Sequence, residues 1–161
     1  MSGADEVQVV EFGLGNDVFA VPVACVREIL DYAPPTPIPN GPPHFLGLTE
    51  VRGQGVATLD LRCRLALPPA QPTLATRILI LDLAGAQGAR ALGVVVDRVI
   101  SVGSFETAQI DSAPDIGMPW NNAYIYGVVR RASGFVVIVD IAHVLTGHED
   151  AAFLSAMIQA A

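Results

Sequence analysis

Few side chains in this 161-residue chain are spaced for chemistry. His44, His143 and His148 belong to no H-E-x-x-H or comparable ligand pattern, and no metal site is expected from them. No serine sits in G-x-S-x-G, no glycine run matches a phosphate cradle, and there is no lysine for a P-loop or a Schiff base. Catalytic residues and cofactors are therefore not expected, although a site assembled from distant residues stays open at this level. Cys25 and Cys63 form no C-x-x-C pair and read as small buried hydrophobes in a reducing compartment. Asp60 and Asp140 each end an apolar strand just before a short helical turn, the place where a carboxylate caps a helix rather than acts as an acid or base.

Two features point to binding instead. Val51-Arg52-Gly53 places an arginine at the end of a strand, before a glycine turn, where its side chain is held yet reaches solvent. In Val26-Arg27-Glu28-Ile29-Leu30, charges interrupt apolar residues beside a proline-rich connection. An ordinary hairpin arginine and a half-buried amphipathic edge are the plain alternatives.

The elements that must position these residues are short. Runs rich in Val, Ile, Leu and Phe alternate with Gly, Pro, Asn and Asp, which predicts a mainly β fold. Val7–Gly13 and Val18–Val23 flank Gly15-Asn16-Asp17 as a hairpin. Residues Ala24–Leu30 fit a helical turn or an irregular strand equally well. The segment Tyr32–Pro43 holds six of the twelve prolines and must be an extended, stiff connection. Further strands are expected at Phe45–Val51, Gly55–Leu61, Arg77–Leu83, Ala91–Val96, Tyr124–Arg130 and Gly134–Val139, with a loop at Pro68–Thr76. Phe153, Leu154, Met157 and Ile158 predict a C-terminal helix over 150–161.

An internal repeat organises these strands. Gly47 to Asp60 can be laid over Gly127 to Asp140 with the same spacing, followed in each case by Leu or Ile and, further on, by Leu65 or Leu145. Val23…Val26…Ile29 likewise matches Val96…Val99…Val102. Each copy alone would be marginal, so two lobes should pack closely and exchange strands.

Composition narrows the function. Hydrophobic residues make up 52% and charged ones 16%, an apolar excess that a small chain buries in a dense core or against other proteins. The net charge of −7, with every cation an arginine, argues against nucleic acid. The longest apolar runs fall well short of the roughly 18–20 residues that span a bilayer, and Met1–Glu6 lacks a secretory pattern, so a cytoplasmic location is expected.

Together, Phe19–Leu30, Pro37–Gly47, Glu50–Arg62, Leu92–Val99 and Tyr126–Ile141 resemble, in order, the CheW-like family of chemotaxis adaptors over residues 6–146. The resemblance implies two small five-stranded SH3-like β-barrel subdomains packed together, without catalysis. It implies as partners the cytoplasmic tip of methyl-accepting chemoreceptors and the regulatory domain of a chemotaxis histidine kinase. Residues matching Val26, Glu28, Gly47 and Arg52 carry receptor engagement in that family, with Glu28 and Arg52 paired; Ile29 joins them in the expected groove. Kinase contact is expected around Tyr32 and Ile38. Leu46 stands where relatives commonly have lysine, and Arg64-Leu65-Ala66 replaces a common Arg-Phe-Gly. Two other functions fit the same residues: the same adaptor type in a pilus-motility or other receptor pathway, and a small ligand-binding β-barrel.

Overall fold

The structure is a computed structural model that describes residues 6–39, 41, 43–85, 88–111 and 125–141, without the side chains of 83–90. The expected C-terminal helix, His143, His148 and most of the 111–122 loop, with Met118 and Trp120, lie outside these residues. Among the described residues eleven strands carry the fold: β1 (Glu6–Leu14), β2 (Asp17–Pro22), β3 (Val26–Asp31), β4 (Phe45–Val51), β5 (Gln54–Asp60), β6 (Arg77–Gly85), β7 (Gly88–Val96), β8 (Arg98–Glu106), β9 (Ile110–Asp111), β10 (Ile125–Arg131) and β11 (Gly134–Val139). One short helix, α1 (Leu61–Arg64), follows β5; Asp60 caps it by accepting from the backbone N–H groups of Arg62 at 3.0 Å and Cys63 at 3.4 Å. The undecided segment 24–30 is both things in turn, a 3-10 turn over Val23–Cys25 and then strand β3.

The strands form two sheets of the same plan. One runs β8-β1-β2-β11-β10-β9 and the other β3-β6-β7-β5-β4. In each, a hairpin (β1–β2 or β6–β7) lies parallel to the last strand of a second hairpin (β10–β11 or β4–β5). The irregularities repeat as well: the ladder slips between Phe45 and Gly47 in one sheet and between Ile125 and Gly127 in the other. An extra residue bulges from β3 at Arg27 and from β8 at Ile100.

Strand exchange follows from chain length. Residues 6–60 give their first hairpin to one sheet and β3, β4 and β5 to the other; residues 77–139 do the reverse. Had β1–β2 stayed with β3–β5 in the β6–β7 position, β2 and β3 would run parallel on either side of β1. Such a return takes about a dozen residues. Only Val23–Cys25 separate β2 from β3, and only Asp97 separates β7 from β8. The chain must therefore step from one sheet to the other at both places.

Three apolar clusters result. Val10, Phe12 and Leu14 of β1 meet Leu59, Leu79, Leu81, Leu92 and Val94 in a core shared by both sheets. On its other face each sheet has a core of its own: Val9, Ala20, Phe105, Val129, Val136 and Ile138 in the first, and Val56, Ile78 and Ile80 in the second. The second private core is covered by Leu30 and Tyr32 from one edge and Val51 from the other, so the sheet curls over itself. The expected closed barrels are thus present only as curled sheets: among the described residues no ladder joins β3 to β4 or β8 to β9. Each fully buried Leu, Ile or Phe contributes about 1.5–3 kcal/mol by leaving water, which is why the apolar excess sits in three layers rather than on the surface.

Candidate partner-binding surface

The turn between β4 and β5 consists of Arg52 and Gly53, with φ of 51° and 82°, since Val51 pairs with Gln54. Two positive φ values make the type I′ hairpin that matches strand twist, and a non-glycine residue in its first place carries local strain. The strain fixes where Arg52 projects. Its side chain is 77% exposed, and its Nη1 donates to Glu28 Oε2 at 2.7 Å; the glutamate is only 18% exposed.

This pair bridges the open seam of the curled sheet. Glu28 belongs to edge strand β3 and Arg52 follows edge strand β4, four inter-strand steps away in the sheet order. Flat, those edges would lie roughly 19 Å apart at about 4.8 Å per step. The hydrogen bond is possible only because the sheet rolls, and it holds the two edges together.

The bulge at Arg27 sets the direction of Glu28. Val26 pairs with Leu81 and Glu28 with Ile80, which leaves Arg27 outside the ladder, where its Nε donates to Asp82 Oδ2 at 3.2 Å. A bulge of this kind re-aims the side chains beyond it. Val26 packs against the shared core, Leu30 covers the private one, and Ile29 is left 42% exposed beside Glu28.

Gly47 is explained within the chain. It is buried at φ +139°, and a Cβ there would collide with the carbonyl of Thr36. Thr36 and Leu48 exchange backbone hydrogen bonds of 2.8 and 2.9 Å, which lash the proline-rich strap to β4. The backbone that comes closest to Gly47 is that of this strap. Tyr32 and Ile38 are half-buried, one against the private core and the other against the shared one.

The cysteines are less buried than expected. Cys25 is half-buried and Cys63 exposed, because one-turn α1 turns only Leu61 inward. Burial pushes the Cys25 thiol up from its usual range, with Asp140 and Asp82 adding to the rise, so the thiolate that would react is disfavoured. Among the described residues no three His, Cys, Asp or Glu side chains gather as a metal site.

Two polar clusters escaped the sequence. Asp97, between β7 and β8, accepts from Arg62 Nε at 3.0 Å and from the Gly15 N–H at 2.6 Å, while Arg98 donates to the Gly15 carbonyl at 2.7 Å. This ties α1, the β1–β2 turn and the β7–β8 step together. The Arg62 hydrogen bond holds the Asp97 carboxyl below the usual carboxylate range against a smaller opposing effect of burial. The second cluster is Glu11, only 4% exposed, held by Arg131 Nη1 and Nη2 at 3.1 and 2.9 Å. A single glutamate sharing the inward parity of Val7 and Val9 was the available signal for it; the partner lies 120 residues away.

Comparison with known proteins agrees with this architecture. The CheW-like domain model matches residues 8–149. A chemotaxis protein CheW of Klebsiella aerogenes is 31% identical over 138 residues, covering 86% of this chain and 81% of the relative. One from Rhizobium meliloti is 27% identical over 142 residues, covering 88% and 89%. The crystal structure of the scaffolding protein TtCheW from Thermoanaerobacter tengcongensis superposes with a TM-score of 0.78 at 20% identity, over 88% of this chain and 94% of that one, and shows the same fold. By the extent of the domain match, the chain belongs to the CheW-like family.

Proposed function

We propose that this protein is a non-enzymatic cytoplasmic adaptor that couples the cytoplasmic tips of chemoreceptors to the regulatory domain of a chemotaxis histidine kinase. Membership of a family that includes chemotaxis and scaffolding proteins supports the reading at its coarser level. The observation that carries the finer one is the Glu28–Arg52 pair: an arginine fixed by backbone and by a carboxylate, projecting into solvent beside exposed Ile29. Two Arg52 nitrogens remain to meet a partner, and a short apolar strip lies next to them, which suits the face of an amphipathic helix. The repeat and the strand exchange support one domain of two intertwined lobes over 6–146. The kinase is proposed to meet the strap around Tyr32 and Ile38, which anchor it to the private and shared cores while Thr36 and Pro37 stay exposed.

An adaptor of this kind acts by geometry, making the contacts of receptor and kinase effectively intramolecular. The filled interiors disfavour a metabolite-binding barrel, because both private cores consist of side chains buried to within a few per cent. The test is Arg52→Glu. An exposed ion pair is worth about 0.2–1 kcal/mol, so the variant should unfold within about 1 kcal/mol of wild type. Affinity for a receptor-tip fragment should fall by about tenfold or more, as expected for an arginine at the centre of an interface. Unchanged affinity with intact folding refutes the assignment.

A further inference from the structure

The Glu11–Arg131 pair, a buried carboxylate held by a guanidinium that is 35% exposed, lies apart from the surface just described, and the other sheet shows that the fold does not require it. Glu11 sits between Ala20 of β2 and Ser101 of β8; Ile80 sits in the same place of the other sheet, between Gly93 of β7 and Glu28 of β3. Arg131 and Val51 are each the last residue before a two-residue turn. One sheet thus fills this location with an isoleucine and a valine, both in its private core, and the other with a carboxylate and a guanidinium that also lies 5.8 Å over the Phe105 ring. Arg131 Nε is buried without a hydrogen-bond partner, so the ionic version is also incompletely satisfied. A buried ion pair is often no more stabilising than an apolar pair of similar volume, and its best-attested use is to specify one assembly against another.

The competing assembly can be named. The first half supplies a hairpin to one sheet and three strands to the other, the second half a hairpin and four strands, and β8-β1-β2-β11-β10 repeats the order of β3-β6-β7-β5-β4, with β9 added at the edge. Two copies of the chain can therefore pair like with like, first half with first half and second half with second half, in a closed dimer. In the first pairing Glu11 would face Val51, and in the second Arg131 would face Ile80. The first would bury a carboxylate without its partner, and the second would leave the half-buried guanidinium of Arg131 unpaired against an apolar side chain. We propose that Glu11 and Arg131 are a pairing key: they admit each half only to the unlike half and so keep the chain from exchanging halves like-with-like with a second copy of itself.

The test uses the full chain. Glu11→Ile with Arg131→Val gives both sheets the same apolar filling, while Glu11→Arg with Arg131→Glu reverses the pair but keeps the key. Each protein is unfolded in denaturant, refolded over a range of concentrations, and sized by chromatography with light scattering. The apolar double variant should yield a dimer that grows with refolding concentration and exceeds the wild-type amount. The charge-reversed variant should match wild type. The proposal is overturned if the apolar variant refolds like wild type, if both variants dimerise alike, or if the apolar variant fails to fold, since the last would make the pair a packing requirement.

Discussion

Replacing Gly47 with alanine separates a folding role from a binding role at one position. The backbone there is at φ +139°, where a side chain is strained by about 1–3 kcal/mol. The new Cβ would also strike the Thr36 carbonyl and displace the strap, breaking the two hydrogen bonds between Thr36 and Leu48. At about 0.5–1.5 kcal/mol net for each bond, that adds about 1–3 kcal/mol. The sum, about 2–6 kcal/mol, is a large share of the roughly 5–15 kcal/mol that holds a domain folded. At about 2–4 °C per kcal/mol for a chain of this size, Tm should fall by roughly 4–24 °C. Urea titration followed by far-UV circular dichroism measures the loss, and hydrogen exchange at the Leu48 amide, which donates to Thr36, reports whether the strap has lifted. A loss below about 0.5 kcal/mol with Leu48 still protected would refute the reasoning. Reduced receptor binding accompanied by loss of Leu48 protection would trace to the strap rather than to a missing contact.

Asp97→Asn should lower stability at neutral pH and leave little difference in acid. Its carboxyl titrates lower in the fold than in the unfolded chain, so its contribution is complete above the ordinary value of about 3.9 and fades as pH falls through the lower folded value. The gap between the denaturation curves of the two proteins should narrow as pH falls below the ordinary carboxylate value of about 3.9; a gap that stays constant throughout the acid range counts against the Arg62–Asp97 tie. Gly93→Ala should cost about 1–3 kcal/mol through overpacking, because the added methyl would lie 2.8 Å from buried Thr58 Oγ1 and 3.3 Å from Ile78. Equal denaturant midpoints for that variant and wild type would show that the sheet yields more readily than its packing implies.

Local features were the legible ones. The Gly–Asp spacing found both hairpins β4–β5 and β10–β11, Gly15-Asn16 marked the first turn, and the acid before α1 is a cap. Val26, Glu28, Ile29 and Arg52 were named together, and the structure brings Glu28 and Arg52 into contact across a seam that no sequence pattern displays. Strand β8 was absent from the expected set because Ser101, Gly103 and Ser104 dilute its apolar run and Ile100 and Val102 face outward. Glu11–Arg131 and Arg62–Asp97 depend on pairings 120 and 35 residues apart, set by which sheet each hairpin joins. The neighbour of Gly47 was not legible for the same reason: glycine announces a close approach without saying which segment makes it, and here the Thr36 carbonyl does.

The short steps at Val23–Cys25 and Asp97 also change what the covalent chain between the halves is for. A protease cut in the connection from α1 to β6 would leave two fragments, yet each sheet would still contain strands of both, laced by backbone hydrogen bonds and the shared core. The nicked molecule would remain one body. Either half is joined to the other through paired strands and packed side chains, so the peptide connection between the halves matters as a tether during assembly more than as a link in the finished fold.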